Sequence, residues 1–325
     1  MAADRPRERV VIFGGSGFIG THLARRLAGA GSDVVVADIE PPRAEVQGVR
    51  YEYCDVRRPV LIDPAAEYDL AVNLAAVHRT PGHPDHEYYD TNVAGALNVT
   101  DWCLRSDVSR LCFTSSISVY GPGESKMDEQ SDINPVTAYG RSKFLAEQVH
   151  RQWLETSGPD SHLVTVRPAV VFGPGENGNF TRLASALARG RFAVPGAGTT
   201  VKACGYVEDL VDSIQFALAE GEREILYNFC YPEPYTVDEV CAAFHEVAGY
   251  SLPKRIPQSI VDASLRARGS RAAIRPVDFL LQRVAKLVHS THIEPANLTK
   301  RNFVWRTDLM TALAEWREAS AGTFV

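Results

Sequence analysis

Short segments rich in Val, Ile and Leu alternate with helical stretches along the first half of the chain, and this alternation constrains the fold. Six segments have the length and residue types of β-strands: 9–13, 33–38, 49–55, 69–76, 110–116 and 162–173. Helical patterns separate them, notably at about 87–106 and 138–156. Strands that alternate with helices form a mainly parallel sheet covered on both faces. The predicted fold class is therefore α/β, with a doubly wound parallel sheet whose ligands bind at the carboxyl ends of the strands.

The turn after the first predicted strand is rich in glycine. The sequence GGSGFIG places Gly14, Gly17 and Gly20 three residues apart, between a strand and a helix. Glycines here let the turn tighten, let a pyrophosphate approach the backbone N–H groups and let the helix pack closely on the strand. A glycine motif alone is a weak signal, but in this context it predicts a dinucleotide-binding site.

Acidic residues follow the second and third predicted strands. Asp38 ends the second strand, where a carboxylate accepts hydrogen bonds from the hydroxyls of an adenosine ribose. The same carboxylate repels a 2′-phosphate, so the sequence favours NAD over NADP, although Arg43 nearby softens that preference. Asp55 follows the third strand, and two interpretations stay open for it: a contact with the adenine amino group, or an ordinary loop acid.

The composition is that of a globular enzyme. The 325 residues are 45% hydrophobic and 23% charged, which suits one large α/β domain or one domain with a smaller lobe. The net charge of −6 argues against nucleic acid as a partner, and no apolar run approaches the roughly 20 residues that span a bilayer. The N-terminus lacks the apolar stretch of a signal peptide, and the six cysteines lack CxxC spacing, so we expect a cytoplasmic protein with reduced, buried thiols.

A tyrosine and a lysine stand four residues apart in PVTAYGRSKFLAEQ, at the start of a predicted helix. Residues at this spacing share a helix face, about 5–6 Å apart at Cβ, so Tyr139 and Lys143 point the same way. A neighbouring cation stabilises a phenolate and lowers the phenol pKa from its usual value of about 10. Two ordinary surface residues would also give this pattern. Beside a dinucleotide site, however, the pair predicts a general base.

Several segments occur together in an order typical of one enzyme family: the spaced glycines, NLAA, SSISVYG, YGRSK and RPAVVFGPG. Over about residues 9–245 the chain resembles the extended short-chain dehydrogenase/reductases. The resemblance implies a Rossmann domain at 1–175, to which later segments return, and a smaller, mainly substrate-binding lobe at 176–325. It also implies NAD(P)-dependent chemistry on a sugar.

The resemblance implies roles for individual residues. Ser116, Tyr139 and Lys143 match the catalytic triad of the family. Tyr139 would take a proton from a sugar hydroxyl as hydride leaves the same carbon for the nicotinamide. Lys143 would hold the ribose hydroxyls and keep the Tyr139 pKa low, and Ser116 would hydrogen-bond the reacting oxygen. Asn92 matches an asparagine that supports the active-site helix. The implied cofactor contacts are Gly14, Gly17, Phe18, Ile19, Gly20, Asp38, Asp55, Val56, Leu74, Ala75, Ala76, Tyr139, Lys143 and Pro168.

Departures from the family pattern narrow the reaction and the substrate. Dehydratases of this family usually carry an Asp-Glu pair where this chain has Ile117 and Ser118, which argues against dehydration and leaves epimerisation or keto-sugar reduction. Enzymes that use sugar nucleotides often carry asparagine where this chain has Val170, and arginine where it has Lys202. Lysine lacks the bidentate fork of arginine, so the usual diphosphate clamp is altered, while a nucleotide diphosphate stays compatible with the sequence.

Two longer segments, 75–93 and 178–212, resemble the 4-epimerases that interconvert N-acetylglucosamine and N-acetylgalactosamine on undecaprenyl diphosphate. The resemblance implies a sugar carried on a polyprenyl or nucleotide diphosphate. The implied substrate contacts are His78, Arg79, Ser116, Asn179 and Lys202. For the His-Arg pair, the alternative is a loop pair bound to local carboxylates. The nearby proline-rich loop holds His83 and His86, but we expect no metal site there, because hydride chemistry needs no metal.

Residues 252–302 are basic, with apolar side chains interleaved. Ten Lys and Arg stand against three acids, in a chain that is acidic overall. Two interpretations stay open. Such a segment can lie on an anionic membrane surface without crossing it, which would place the protein at the inner face of the membrane. It can equally pack on the Rossmann domain as a helical lobe with a solvated basic face.

The leading prediction is an NAD-dependent sugar 4-epimerase that acts on a diphosphate-linked hexose or N-acetylhexosamine. Proton and hydride leave C4, the 4-keto sugar turns over, and hydride returns to the opposite face, so the reaction is redox-neutral. The alternative is an NAD(P)H-dependent 4-keto sugar reductase with the same triad. An NAD-sensing regulatory protein is a third hypothesis, which the intact triad argues against. Family members often dimerise through two helices each, here those at about 87–106 and 138–156.

Overall fold

A parallel β-sheet forms the centre of the protein. The structure is a computed structural model that describes residues 7–80, 82–195, 198–257 and 290–325. In chain order the strands are β1 (Arg9–Phe13), β2 (Asp33–Asp38), β3 (Val49–Tyr53), β4 (Leu70–Asn73), β5 (Arg110–Thr114), β6 (Gly123–Met127), β7 (His162–Pro168), β8 (Val170–Phe172), β9 (Ala193–Pro195), β10 (Cys204–Tyr206), β11 (Glu224–Phe229), β12 (Lys254–Ile256) and β13 (Thr291–Ile293). The α-helices are α1 (Phe18–Gly29), α2 (Asp85–Tyr89), α3 (Gly95–Arg105), α4 (Ala138–Thr156), α5 (Asn179–Ala188), α6 (Val207–Ala219), α7 (Val237–Ala248), α8 (Ala296–Lys300) and α9 (Leu309–Ala319).

The central sheet has the strand order β11–β7–β5–β4–β1–β2–β3, and neighbouring strands are parallel. The chain builds outward from β1 to β3 and then returns to place β4 on the other side of β1. A parallel sheet that reverses in this way leaves a crevice at the carboxyl ends of β1 and β4. The predicted Rossmann arrangement is confirmed.

Successive residues of the central strands pack on opposite faces of the sheet. Val10 and Ile12 of β1 join a core with α1 and α6. Val11 and Phe13 join a second core with α3 and α4, where Phe13 packs edge-on against Trp102. Each fully buried side chain of this size contributes about 1.5–3 kcal/mol. Helices therefore cover both faces, because side chains alternate along a strand.

A further hydrophobic core lies mainly beyond residue 175. Phe180 of α5 stacks on Phe172, and Phe244 of α7 and Trp316 of α9 close around them. Not all of the later chain belongs to this core, because α6 packs on α1 and β11 pairs with β7 in the central sheet. The division of the chain into two domains at residue 175 stays a prediction.

The predicted strand at 162–173 is two strands in the structure. β7 ends at Pro168, and β8 pairs with β10 in a separate small sheet. Proline offers no N–H to a neighbouring strand, and the chain leaves the sheet after Ala169 donates to Phe229. The strands predicted at 49–55, 69–76 and 110–116 also end two or three residues early, because their last residues form loops along the crevice.

The predicted helix at 138–156 coincides with α4. Its N-cap residue, Thr137, accepts a hydrogen bond from the Gly140 N–H at 3.0 Å. The helix predicted at about 87–106 consists of α2, a π-helix at Asp90–Ala94 and α3. The π-helical turn lies where the chain passes the active-site crevice, which is a common place for such turns.

The six cysteines are free and buried, as predicted. Burial raises the pKa of the Cys54 thiol to about 11, so that thiol stays protonated at neutral pH. Across residues 7–80, 82–195, 198–257 and 290–325, no helix is both long enough and apolar enough to cross a bilayer.

Candidate active site

Packing requires two of the glycines in the first turn. Gly14 has a φ of +73°, and a Cβ there would lie 2.5 Å from the backbone of Ala75. A Cβ on Gly20 would lie 2.4 Å from the carbonyl oxygen of Gly15. Gly14 therefore brings β1 against the loop that follows β4, and Gly20 seats α1 on the turn.

Gly17 has no such packing role. Its φ is −75°, and the nearest atom to an added Cβ is the Gly14 carbonyl oxygen at 3.6 Å. Gly17 is the N-cap of α1, where no side chain caps the helix and the first turn has no acid. The N–H groups of Phe18, Ile19 and Gly20 therefore lie at the positive end of the helix without helical partners. The open space and these donors fit the diphosphate of NAD.

Asp38 lies at the end of β2, beside the glycine turn. One carboxylate oxygen accepts from the Ser16 N–H at 3.0 Å and the other from the Glu40 N–H at 3.1 Å. Each oxygen has two lone pairs, so both keep capacity for ribose hydroxyls. Arg43 donates to the carbonyl oxygen of Gly175 at 3.3 Å and so links the loop after β2 to the loop after β8.

The carboxylate of Asp55 is held by its neighbour Arg57. Nε and Nη2 of Arg57 donate to it at 2.8 Å each, and these bonds lower the pKa of Asp55. This geometry favours the loop-acid interpretation, while the adenine contact stays a prediction. Val56 is buried, and its side chain packs against Gly95 of α3.

The remaining predicted cofactor contacts lie at the carboxyl ends of β4 and β7. The Leu74 N–H donates to the last residue of β1 at 2.8 Å, and the Ala75 N–H donates to Oδ1 of Asn73 at 3.2 Å. Leu74, Ala75 and Ala76 are partly buried, and this loop borders the glycine turn. Pro168 ends β7, two strands away from β4 in the sheet.

The structure brings Ser116, Tyr139 and Lys143 together beside β5. Ser116 follows this strand, while Tyr139 and Lys143 lie on the first two turns of α4. The Ser116 hydroxyl donates to Oγ of Ser118 at 3.1 Å, and it lies close enough to the Tyr139 side chain to affect the pKa of that phenol. Ile117 and Ser118 occupy the two positions where dehydratases of the family carry carboxylates. The bond to Ser118 orients the Ser116 hydroxyl.

Burial raises the pKa of Tyr139, and this effect outweighs the opposing effect of the nearby Ser116 side chain. The prediction that Lys143 keeps this pKa low is therefore wrong for this structure. The reason lies in the lysine itself. Lys143 is 1% exposed, and burial lowers its pKa to about 7, so much of its charge is lost near neutral pH.

The Lys143 ammonium keeps its hydrogen-bonding capacity. Nζ lies 4.4 Å from the centroid of the Phe113 ring, and within the described ranges no protein group accepts a hydrogen bond from it. Glu147, one turn further along α4, raises the pKa of Lys143 but is itself paired with Arg167 at 2.9 and 2.7 Å. Nζ can therefore donate to a ligand that offers hydroxyls, such as the ribose of NAD.

Asn92, in the middle of the π-helix, ties the loop after β4 to α4. Its amide group makes two bonds to the backbone of Val77, at 2.9 and 3.1 Å. Its Nδ2 also donates to Oγ of Ser142 at 2.8 Å, and Ser142 donates to the carbonyl oxygen of Tyr139 at 2.8 Å. This chain of bonds supports the first turn of the active-site helix.

His78 and Arg79 lie on the exposed part of the same loop. Desolvation by the surrounding atoms lowers the pKa of His78, and the cations of Arg79, Lys143 and Arg43 act in the same direction. Asn92 bonds both Val77, the residue before His78, and Ser142 of α4, so this loop lies close to the start of that helix. The loop pair is therefore beside the candidate site, as the resemblance implies, while its contact with a substrate stays a prediction.

Sequence reasoning missed Tyr88 of α2. Its hydroxyl donates to the carbonyl oxygen of Arg79 and accepts from Oγ1 of Thr80 at 3.3 Å. Its ring is buried, with its centroid 6.2 Å from that of Tyr139. Tyr88 thus holds the loop of His78 next to the candidate base. The segment EYYDTN contained the signal, but an aromatic pair before a helix equally suits ordinary packing.

Two predicted substrate contacts come from later segments. Asn179 is the first residue of α5, is exposed, and accepts from Nη2 of Arg182 at 3.0 Å. Lys202 lies two residues before β10, where it forms a bridge to Thr291, and its N–H donates to the Tyr235 carbonyl oxygen at 2.7 Å. The contact of Asn179 and of Lys202 with a substrate stays a prediction.

Comparison with known proteins identifies the family. The model of the NAD dependent epimerase/dehydratase family matches residues 10–230. An N-acetyl-α-D-glucosaminyl-diphospho-ditrans,octacis-undecaprenol 4-epimerase of Escherichia coli O157:H7 is 34% identical over 254 residues, which cover 77% of this chain and 74% of the relative. A UDP-glucose 4-epimerase of Lactobacillus helveticus is 25% identical over 304 residues, covering 80% and 90% of the two chains.

A solved structure supports the fold. The UDP-glucuronic acid 4-epimerase of Bacillus cereus, in complex with NAD, superposes with a TM-score of 0.76 at 17% identity and covers 98% of this chain and all of the other. The family and the fold confirm the predicted fold class, NAD dependence and enzyme class. This chain belongs to the NAD-dependent epimerase/dehydratase family.

Proposed function

We propose that this protein is a sugar 4-epimerase whose substrate is an N-acetylhexosamine linked to a polyprenyl diphosphate. The observation that carries the proposal is the site itself. Ser116 follows β5, Tyr139 and Lys143 lie at the start of α4, and no carboxylate stands at the two positions that dehydration needs. The proposed lipid carrier is supported by the 34% identity to the undecaprenol-linked relative.

The residues divide the chemistry at C4 of the sugar. Tyr139 accepts the proton of the 4-hydroxyl and later returns a proton to the same oxygen. Ser116 donates a hydrogen bond to that oxygen and stabilises the charge that develops on it. NAD, when bound, supplies the acceptor for the hydride of C4. Because the 4-keto sugar rotates in the site before it is reduced again, hydride returns to its opposite face. The product therefore differs from the substrate only in the configuration at C4.

The surrounding residues are proposed to bind and orient NAD and the sugar substrate. We propose that Lys143 donates to the ribose hydroxyls, that Asp38 accepts from the adenosine ribose, and that the turn around Gly17 binds the diphosphate of NAD. His78, Arg79, Asn179 and Lys202 are the proposed substrate contacts. The core around Phe172 forms the proposed substrate-binding lobe.

The choice of carrier can be tested directly. The purified protein is incubated with UDP-N-acetylglucosamine and, separately, with N-acetylglucosaminyl-diphospho-undecaprenol in detergent, and the epimers are counted by NMR. The account predicts a kcat/KM for the lipid-linked sugar at least tenfold higher. Efficient turnover of the nucleotide sugar with none of the lipid-linked sugar would contradict the proposed carrier and leave the epimerase chemistry standing.

We propose that the protein is a homodimer built from α3 and α4. These helices pack side by side, and each exposes leucine side chains: Leu97 and Leu104 are 55% and 48% exposed, and Leu145 is 44% exposed. Two copies would bury these residues in a bundle of four helices. Light scattering after gel filtration tests this: the mass of two chains is expected for the wild type, and the mass of one chain for Leu97→Glu with Leu104→Glu.

The basic segment at 252–302 falls largely on residues 258–289, which lie outside the described residues. Of its cations in the described part, Arg255 pairs with Asp238 and Arg301 pairs with Glu220 and Glu222. Peripheral contact of this segment with the inner face of a membrane stays a prediction.

A further inference from the structure

A basic surface lies along α5, outside the candidate active site. Residues 177–207 contain four Lys and Arg and no Asp or Glu, although the whole chain has more acids than bases. Arg182, Arg189 and Arg191 are exposed. Within the part of the chain that the structure describes, none of their guanidinium groups pairs with a carboxylate; Arg182 donates to the side-chain oxygen of Asn179.

The three arginines border one groove. Arg182 lies on α5, Arg189 is the C-cap residue of that helix seven positions later, and Arg191 follows it; all three line the groove. The groove has a volume of about 340 Å³. The small side chains of Ser185 and Ala186 line it between the arginines. Like charges around an open groove repel each other, so this arrangement gains free energy when an anion lies among them.

The basic surface continues onto β12. The Lys254 N–H donates to the carbonyl oxygen of Phe192 at 3.0 Å, which places Lys254 next to the end of α5. Leu252, two residues earlier, is 58% exposed. The nearby carboxylate of Asp238 is already paired with Arg255. The same edge therefore offers a further exposed cation and an exposed apolar side chain.

This combination of charge and apolar exposure matches the surface of an anionic bilayer. Lipid phosphates bind guanidinium groups, an exposed leucine enters the interface, and each Lys or Arg near the surface adds about 1 kcal/mol. The groove begins at Thr181, two residues after Asn179, so a bilayer seated on it would lie beside that proposed substrate contact. We propose that the face formed by Arg182, Arg189, Arg191, Leu252 and Lys254 docks this protein on membranes rich in anionic phospholipid.

The proposal extends the proposed function, in which the sugar is carried on a lipid, but its test needs no sugar. The full chain is sedimented at low salt with vesicles of phosphatidylcholine containing phosphatidylglycerol, and with vesicles of phosphatidylcholine alone. Binding is expected only to the anionic vesicles, and raising the salt concentration is expected to release the protein. The variant R182Q/R189Q/R191Q should bind about 100-fold more weakly, which corresponds to about 1 kcal/mol for each charge.

A matched variant separates this face from general charge. R7Q/R25Q/R58Q removes three exposed arginines from other surfaces and should bind the anionic vesicles like the wild type. Both triple variants should keep the wild-type melting temperature and NAD affinity, which shows that they fold. Equal binding by wild type and R182Q/R189Q/R191Q, or no binding of the wild type at low salt, would overturn the docking face. A failure of the epimerase proposal would instead be seen in the sugar assay, where no C4 epimer would form.

Discussion

Lys143 combines a cationic side chain with almost complete burial, and this makes the stability of the protein depend on pH. Its pKa is lowered to about 7 by burial, against 10.5 in an unfolded chain. Between these values the unfolded chain binds a proton that the folded protein does not bind. The free energy of unfolding therefore rises with pH in this window, by up to about 1.4 kcal/mol per pH unit, and this contribution is lost as the pH falls through 7.

Replacing Lys143 with Met should remove that dependence. The variant is expected to be more stable than the wild type at pH 6, where the wild type still carries the buried charge, and the difference should shrink as the pH rises towards 9. Urea unfolding at both pH values measures it, with the exposed Lys300→Met as the control. Parallel curves for wild type and Lys143→Met would show that Lys143 titrates normally.

Tyr88 is expected to act as a positioning residue. Tyr88→Phe keeps the ring beside Tyr139 but removes the hydrogen bond to the Arg79 carbonyl oxygen, a loss of about 1 kcal/mol. The loop of His78 then loosens, so KM for the sugar should rise about fivefold while kcat stays within a factor of two. Steady-state kinetics with Tyr89→Phe as the neighbouring control decides this. An unchanged KM, or a fall in kcat alone, would contradict the positioning role.

At the scale of single elements, the turn between β1 and α1 separates packing from binding. Gly14 and Gly20 have no room for a side chain, whereas Gly17 has room but lies at the uncapped start of α1. Gly17 is the N-cap of α1, and the missing side chain leaves the helix N–H groups accessible to a ligand.

Gly17→Ala should weaken NAD binding at least tenfold, because the added methyl group occupies the space in front of the helix N–H groups. Its effect on the free energy of unfolding should stay below about 1 kcal/mol, as for an exposed N-cap substitution. Gly29→Ala, at the other end of α1, where an added Cβ would meet no atom within 4 Å, is the control and should leave NAD affinity unchanged. Calorimetric titration gives both affinities. Wild-type affinity in Gly17→Ala would place the diphosphate elsewhere.

The elements also show what sequence patterns can and cannot predict. Helix α4 was predictable from its periodicity, and Thr137 caps it where the pattern begins. The strand that ends at Asn73 was predicted too far along the chain, because the apolar residues Leu74, Ala75 and Ala76 that follow it resemble strand residues. The π-helix around Asn92 has no sequence pattern that distinguishes it from an α-helix, since its bonds to Val77 and Ser142 are tertiary.

For the whole molecule, local patterns predicted the parallel sheet and the dinucleotide crevice, while the grouping of Ser116 with Tyr139 and Lys143 came from the family resemblance. They did not predict that Glu224–Phe229 returns to the edge of the sheet, because pairing with β7 depends on contacts distant in sequence. The sign of the Tyr139 pKa shift was wrong for the same kind of reason. The cation of Lys143, four residues after Tyr139, is visible in the sequence. The burial of both side chains, which controls the two pKa shifts, is visible only in the folded chain.

The central claim is that Tyr139 exchanges a proton at C4 in a reaction that leaves the cofactor balance unchanged. The most direct measurement follows nicotinamide absorbance and C4 epimer formation together, with the NAD-loaded protein and N-acetylglucosaminyl-diphospho-undecaprenol. The account predicts both epimers at equilibrium after many turnovers with flat absorbance, and a loss of about 100-fold or more in rate for Tyr139→Phe, which still binds NAD. Absorbance that falls with each product formed, or normal turnover by Tyr139→Phe, would contradict it.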